Sequence, residues 1–320
     1  MTALITGVCG FVGQYLAAHL LASGQQVFGT YLDSEDRARM SGALARKVGL
    51  LQGDVRNPRK MGVVLRRTQP DAVYHLAAVS SVGMSLSRPV ATMDVNVSGT
   101  TGLLEAIKRE SPRTPVLFVS SAEVYGRVRP AHVPIQETQA PAPRNPYAAS
   151  KLAAEEVCHY YERTFGLRIV VARSFNHTGP GQSQGFVIPD FASQVAQIER
   201  HGGRGTLRVG NLNARRDISD VRDIVRGYRL LMQKGKPGDV YHLGSGRAHR
   251  VGDLLKWLLA FSTHNIKVER DPERMRPSDI PVLLASVDKV RRRTGWRSTV
   301  PIETTLLDTL NYWRKHVPQV

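Results

Sequence analysis

Gly7-Val8-Cys9-Gly10-Phe11-Val12-Gly13 is the stretch that decides the fold of this 320-residue chain. It follows Ala3-Leu4-Ile5-Thr6, a short apolar run that reads as a buried strand, and it opens an apolar stretch over 11–22 that reads as a helix. Glycines spaced Gly-x-x-Gly-x-x-Gly between a strand and a helix suit a phosphate. Glycine permits the tight turn and lets the backbone approach a pyrophosphate, and the helix N-terminus adds free N–H groups and partial positive charge. Gly7, Gly10 and Gly13, with Phe11 and Val12 at the helix start, are therefore candidate dinucleotide contacts. Cys9 reads as a small filler of the turn.

Outward from this turn, apolar runs alternate with helical stretches. Strands are expected at 26–30, 49–52, 72–76, 115–120 and 168–173, with helices between them, notably over 97–109 and 147–165. Buried strands alternating with helices predict a parallel sheet covered on both faces. Past residue 176 the rhythm breaks and Gly and Pro become frequent. One more strand is expected at 239–244, and helices at 251–261 and 302–313. The length exceeds what one compact core usually holds. Two lobes are expected: a cofactor-binding domain over 1–175 with a return segment at about 215–245, and a discontinuous substrate-binding domain within 176–320.

Composition narrows the class. With 42% hydrophobic residues and no apolar run near the roughly 20 residues of a membrane span, the chain reads as a soluble enzyme without a membrane partner. Two cysteines form no disulfide framework, no basic segment precedes the first apolar run, and a cytoplasmic protein is expected. The ten His show no metal-ligand spacing. A net charge of +17 admits three readings: a solvated Arg-rich surface, a field attracting phosphorylated ligands, or nucleic-acid binding. The third is disfavoured, because the basic residues are scattered and not interleaved with aromatics.

The choice of cofactor turns on the end of the second strand, where an acid usually meets the adenosine ribose of NAD. Tyr31 stands at that position, Asp33 comes two residues later, and Arg37 and Arg39 could meet a 2′-phosphate. The pattern points to NADP(H), or to acceptance of both NADP(H) and NAD(H). Asp54, followed by Val55, suits either an adenine contact or an ordinary turn.

Pro146-Tyr147-Ala148-Ala149-Ser150-Lys151 puts Tyr147 and Lys151 one helical turn apart on one face. A phenol exchanges protons poorly at neutral pH, and a nearby lysine cation is expected to draw its pKa down. Lys151 can also hold a nicotinamide ribose. Upstream, Phe118-Val119-Ser120-Ser121-Ala122-Glu123 ends a strand, and Ser121 can hydrogen-bond a carbonyl oxygen.

With the glycine turn, Ser121 and Tyr147-x-x-x-Lys151 in this order, the chain resembles the extended short-chain dehydrogenase/reductase family over nearly its full length. Leu76, Ala77 and Ala78 after the fourth strand, and Asn96, agree with it. The resemblance implies a Rossmann-like, doubly wound α/β sheet with a smaller, discontinuous α/β substrate-binding lobe. It also implies catalysis by Ser121, Tyr147 and Lys151, cofactor contacts from Val55 and residues 76–78, and a homodimer packed through 97–109 and 147–165.

Four later segments resemble one branch, the GDP-4-keto-6-deoxy-D-mannose reductases. They lie at 173–182, 185–191, 210–217 and 274–281. Arginine matches phosphate with a planar fork, so Arg216 and Arg276 are candidates for a sugar-nucleotide diphosphate. Asp279 would accept from the nucleoside ribose, and Asn176 would meet the diphosphate or sugar. Val187, Asn211, Glu123 and Ser121 complete the implied substrate site. The reaction implied is hydride transfer from NAD(P)H to C4 of a GDP-linked 4-keto-6-deoxy sugar, giving a GDP-6-deoxyhexose such as GDP-D-rhamnose. A GDP-mannose 4,6-dehydratase is a rival. Related dehydratases carry an acid or serine where this chain has Ala122, although Glu123 is retained as a possible base. A nucleotide-sugar epimerase is a second rival, and a non-catalytic RNA binder is a third. Ser174 stands where relatives often have proline.

Overall fold

Residues 1–275 and 280–317 are described by the structure, a computed structural model. The first strands are β1 (Thr2–Thr6), β2 (Gln26–Tyr31), β3 (Gly49–Gln52), β4 (Ala72–His75), β5 (Val116–Ser121) and β6 (Ile169–Ser174). Then come β7 (Asn176–Thr178), β8 (Thr206–Val209), β9 (Arg215–Asp220), β10 (Val240–Leu243), β11 (Ala248–Arg250), β12 (Lys267–Arg270) and β13 (Val282–Leu283). Seven strands form one sheet in the order β10-β6-β5-β4-β1-β2-β3, every pair parallel. The order reverses between β1 and β4. In such sheets a crevice opens beyond the carboxyl ends of these strands, where ligands bind.

The sheet is buried on both faces, which is why its strands read as continuous apolar runs. On one face Leu16, Leu20, Val225, Tyr228 and Leu231 cover Ile5, Leu117 and Ala172. On the other, Leu65, Leu103, Ile107, Ala154 and Cys158 cover Leu4, Phe118 and Val171. Local chemistry sets where the helices begin. Asn145 Oδ1 accepts from Ala148 N at 2.8 Å, Pro146 takes the first helical position, and the helix Pro146–Phe165 ends at Gly166 with φ 68. These caps fix Tyr147 in the first turn.

The smaller sheet runs β11-β9-β13 with β7 on β9, and β8 pairs with β12. Helices Val187–Arg200, Val251–Ala260 and Ile302–His316 pack around Ala192, Val195, Leu254, Leu306 and Leu310. Of the span 215–245, β9 joins this smaller sheet, while helix Val221–Lys234 packs on the large sheet and β10 pairs with β6. Buried Asp217 ties the lobe to the sheet edge. Its carboxylate accepts from Ser245 N and Oγ, both at 2.6 Å, and from Gly246 N at 3.0 Å.

One helix differs from expectation. The α-helix expected over 97–109 is Gly99–Glu110, and a π-helical turn, Asp94–Ser98, precedes it. Within that turn the buried Asn96 side chain accepts from Val79 N at 2.8 Å and donates to Ser150 Oγ at 2.8 Å. The wider turn joins the β4 loop to the helix bearing Tyr147.

Candidate active site

The glycine turn is a cradle that side chains would fill. Gly7 has φ 71, and a Cβ there would lie 2.9 Å from Ala77 Cα. A Cβ on Gly13 would lie 2.4 Å from Gly7 O. Gly10 is exposed and precedes the helix Phe11–Ala22, whose N-terminus has no side-chain cap. Phe11 and Val12 are half-buried there. Close backbone approach and an uncapped helix start fit a pyrophosphate.

A buried histidine locks the opposite wall. Thr100 Oγ1 donates to Asn96 O at 2.6 Å, so it accepts from His75 Nε2 at 3.0 Å. His75 Nδ1 then accepts from Thr6 Oγ1 at 2.8 Å, and Thr6 Oγ1 accepts from Ala77 N at 3.3 Å. Burial pushes the imidazole down to about 3, so it stays neutral. Leu76, Ala77 and Ala78, half-buried, are thereby held across from Gly7.

Tyr31 ends β2, and the Arg37 guanidinium lies 5.6 Å from its ring centroid. Asp33 is occupied elsewhere: its Oδ1 accepts from Asp36 N at 2.8 Å and caps the helix Ser34–Ala38. Arg39 pairs with Glu35 at 3.0 Å on the surface. Asp54 is clamped by Arg56, Nη2 to Oδ2 at 2.7 Å, and Arg56 reaches Asp94 at 2.7 Å as well. The Arg56 hydrogen bond is the main cause holding the Asp54 carboxyl below its ordinary range. Val55 is buried against Gly99, where a Cβ would meet it at 2.8 Å.

Ser121 is the last residue of β5, and its Oγ accepts from Glu123 N at 3.2 Å. The Tyr147 and Ser121 hydroxyls are neighbours, and both residues are nearly buried, at 8% and 9% exposed. Lys151 is 4% exposed, and its Nζ donates to Val119 O at 2.8 Å. The serine, tyrosine and lysine are thus brought together at the carboxyl end of β5. Their electrostatics depart from expectation. Burial pushes the Tyr147 phenol up to about 12, against the neighbouring Ser121 hydroxyl and with the Glu123 charge. Burial pushes Lys151 down to about 8. Lys151 does not draw the phenol down, because desolvation dominates and its Nζ is aimed at a strand carbonyl. A neutral phenol is the form that can give a proton away. Beside it Glu123 Oε2 accepts from Asn145 Nδ2 at 3.2 Å, and Ala122 is buried.

On the far side of the crevice, Asn176 is exposed at the start of β7 and pairs with Ile218 of β9, near Arg216. Arg216 Nη1 donates to the carbonyls of Arg215 at 3.0 Å and Ile280 at 2.5 Å. Val187, half-buried, opens its helix, and Asn211 Oδ1 accepts from Asn213 N at 2.9 Å. Arg276 and Asp279 lie outside the described residues. Among the described residues no His, Cys, Asp and Glu cluster could hold a metal, and no helix is long and apolar enough to cross a membrane.

Sequence reasoning passed over Glu155 and Arg173. Glu155 on the helix and Arg173 in β6 pair at 2.6 Å, with side chains only 1% and 7% exposed. The available signal was a charged residue in each of two otherwise apolar positions.

Comparison with known proteins gives a consistent result. The profile of the family described as GDP-mannose 4,6 dehydratase matches residues 4–309. The GDP-6-deoxy-D-mannose reductase of Pseudomonas aeruginosa is 35% identical over 313 residues, covering 98% of this chain and 97% of that protein. A solved structure of RMD from Pseudomonas aeruginosa complexed with NADPH superposes with a TM-score of 0.85 at 34% identity, covering 99% of both chains. The UDP-glucose 4-epimerase of Thermus thermophilus in complex with NAD superposes with a TM-score of 0.86 at 28% identity, over 98% of this chain and 99% of that one.

Proposed function

The chain belongs to the GDP-mannose 4,6-dehydratase family of NAD(P)-dependent extended short-chain dehydrogenases/reductases, and from that membership we propose that it reduces C4 of a GDP-linked 4-keto-6-deoxy sugar. The product is a GDP-6-deoxyhexose such as GDP-D-rhamnose. The observation that carries this reading is the buried neutral phenol of Tyr147 beside the Ser121 hydroxyl at the carboxyl end of β5.

The Gly7–Gly13 cradle, the uncapped helix start and residues 76–78 fit a dinucleotide. A reduced nicotinamide bound there supplies the hydride. The chain's own residues do the rest. Tyr147, protonated across the physiological range, gives its proton to the C4 oxygen as negative charge develops. Ser121 hydrogen-bonds the same oxygen and orients Tyr147. Lys151 holds the cofactor's ribose and supplies positive charge beside the tyrosine. Asn176 and Arg216, with Arg276 and Asp279, bind the sugar nucleotide; Val187 and Asn211 line its pocket. The lobes divide accordingly: residues 1–175 with part of 215–245 serve the cofactor, and the remainder of 176–320 serves the substrate.

Two observations bear on the finer points. Arg37 beside Tyr31 supports a preference for NADP(H), since Asp33 is engaged as a helix cap. The dehydratase reading requires acid–base work at the position of Ala122, whose methyl group can transfer no proton. The apolar residues left exposed on and beside the helix Pro146–Phe165, namely Met84, Leu86, Val90, Met93, Tyr160 and Phe165, support a homodimer. Two buried, unpaired cysteines support a reducing compartment such as the cytoplasm.

The test is a coupled assay. A separate dehydratase converts GDP-mannose to the 4-keto-6-deoxy sugar, and this protein is added with NADPH or NADH. Oxidation of the reduced nicotinamide with a new GDP-deoxyhexose supports the reading. Tyr147→Phe is expected to abolish turnover and keep cofactor affinity; a variant that turns over normally removes Tyr147 from the chemistry. NAD retained through purification, with no net oxidation, favours the epimerase.

A further inference from the structure

Behind the strand end that carries Ser121 runs a chain of buried polar groups that the reaction above does not use. Strand side chains alternate faces, so Ser120 and Arg173 point away from Ser121 and toward the helix Pro146–Phe165. Ser120 Oγ donates to the Glu155 carboxylate. Arg173 grips both Glu155 oxygens, Nε at 3.0 and 3.1 Å and Nη2 at 2.6 Å. Arg173 Nη1 donates to Tyr125 OH at 2.7 Å, which fixes the next link: the phenol donates to His242 Nε2 at 2.6 Å. His242 Nδ1 then donates to Ser286 O at 3.3 Å. The network crosses β5, β6 and β10 and is satisfied at every link.

A fully buried ion pair is seldom retained for stability alone, since apolar residues of similar volume often do as well. The position of this one suggests its use. Glu155 lies one helical turn beyond Lys151, on the same face. The groups facing Lys151 are few. From its own helix come Tyr147, Glu155 and the Cys158 thiol, which burial keeps protonated. From β4 comes the neutral imidazole of His75. From β5 come the Val119 carbonyl and the Phe118 ring, 5.1 Å away. Among these groups Glu155 carries the negative charge, and Arg173 on β6 partly offsets it.

We propose that Glu155, oriented by Arg173, is a positioning residue for Lys151: it fixes the strand end bearing Ser121 and supplies the negative charge that keeps the lysine ammonium charged in a buried site. The proposal rests on the role given to Lys151 above. It predicts that the two members of the ion pair act on Lys151 with opposite sign, which a purely structural role would not produce.

The experiment reads Lys151 directly. The full-length protein is labelled with lysine carrying 13C at Cε, the Lys151 signal is assigned by its loss in Lys151→Arg, and its shift is followed against pH. The wild-type midpoint is expected at about 8. Glu155→Gln, which keeps the volume and much of the hydrogen bonding, is expected to lower the midpoint by about two units, the scale of one charge roughly 6 Å away at an effective dielectric near 20. Arg173→Gln is expected to raise it. An unmoved midpoint in Glu155→Gln, or shifts of the same sign in both variants, overturns the proposal. If Arg173→Gln does not fold, the sign and size of the Glu155→Gln shift decide alone. The alkaline limb of kcat/KM in the coupled assay should move with the midpoint. Midpoints that shift as stated in a protein without turnover would sink the reductase reading and leave this one standing.

Discussion

Replacing Gly13 with alanine sets two effects against each other. Gly13 lies in the first turn of the helix Phe11–Ala22, where alanine is intrinsically better by about 1 kcal/mol. Its new Cβ, however, would lie 2.4 Å from Gly7 O, 2.7 Å from Val8 O and 2.8 Å from Val8 Cα. Such atoms rest at roughly 3.5 Å, so the helix must retreat by about 1 Å. All three contacts are backbone and cannot swing aside. Overpacking of this kind costs about 1–3 kcal/mol and should outweigh the propensity gain. The retreat also withdraws the helix-start amides from a bound phosphate, and losing one charge-assisted hydrogen bond weakens binding about 10- to 100-fold. Gly10→Ala is the control. Gly10 has φ −70 and ψ 165, which alanine adopts freely, and its Cβ would meet only Gly7 O at 3.3 Å. That variant should keep its stability within about 0.5 kcal/mol. It should lose NADPH affinity, because its methyl projects from the exposed face of the turn. Urea unfolding without cofactor and NADPH binding by fluorescence measure the two quantities separately. Equal stability loss in both variants, or undiminished NADPH binding by Gly10→Ala, would refute the account of the turn.

Arg37→Ser should raise the KM for NADPH about tenfold and leave that for NADH nearly unchanged, the loss expected of one guanidinium–phosphate contact; equal changes for both cofactors would remove Arg37 from 2′-phosphate recognition. Asp223 gives a pH prediction. Burial raises its pKa, but the Arg226 guanidinium and the Val300 and Thr299 amides more than reverse this, so the folded value lies below the unfolded one. Its contribution is present above the unfolded carboxylate range and is lost as pH falls through the depressed value. Asp223→Asn should lower stability near neutral pH by about 1–3 kcal/mol and flatten the acid limb of the unfolding midpoint; an acid limb as steep as wild type contradicts the assignment. Val90→Asp combined with Tyr160→Asp should yield monomers in sedimentation that keep the wild-type circular dichroism, since both residues are exposed on the protomer, at 81% and 50%. A dimer that survives the change places the interface elsewhere.

The local patterns were legible. The glycine turn, the one-turn spacing of Tyr147 and Lys151, and the alternation of strands with helices through residue 174 are properties of neighbouring residues, so a linear reading finds them. Helices Val187–Arg200 and Val221–Lys234 were not anticipated. Polar and charged residues separate their apolar positions along the chain, so neither shows an apolar run, although Val221, Ile224, Val225, Tyr228 and Leu231 keep the helical spacing that marks the second.

By itself the sequence determined the strand–turn–helix cradle, the family and the candidate reacting side chains, because backbone freedom and side-chain chemistry are fixed residue by residue. Tertiary structure decided what surrounds them. It brought Arg173 from β6 onto Glu155, seated His75 between Thr6 and Thr100, and turned Asp33 and Asp54 to local partners. It also reversed the expected direction for Tyr147, since desolvation depends on everything packed around a group and the Lys151 charge is aimed at Val119 O. Burial and the assembly of distant charges arise only when the strands are side by side, and they set the protonation states on which the chemistry runs.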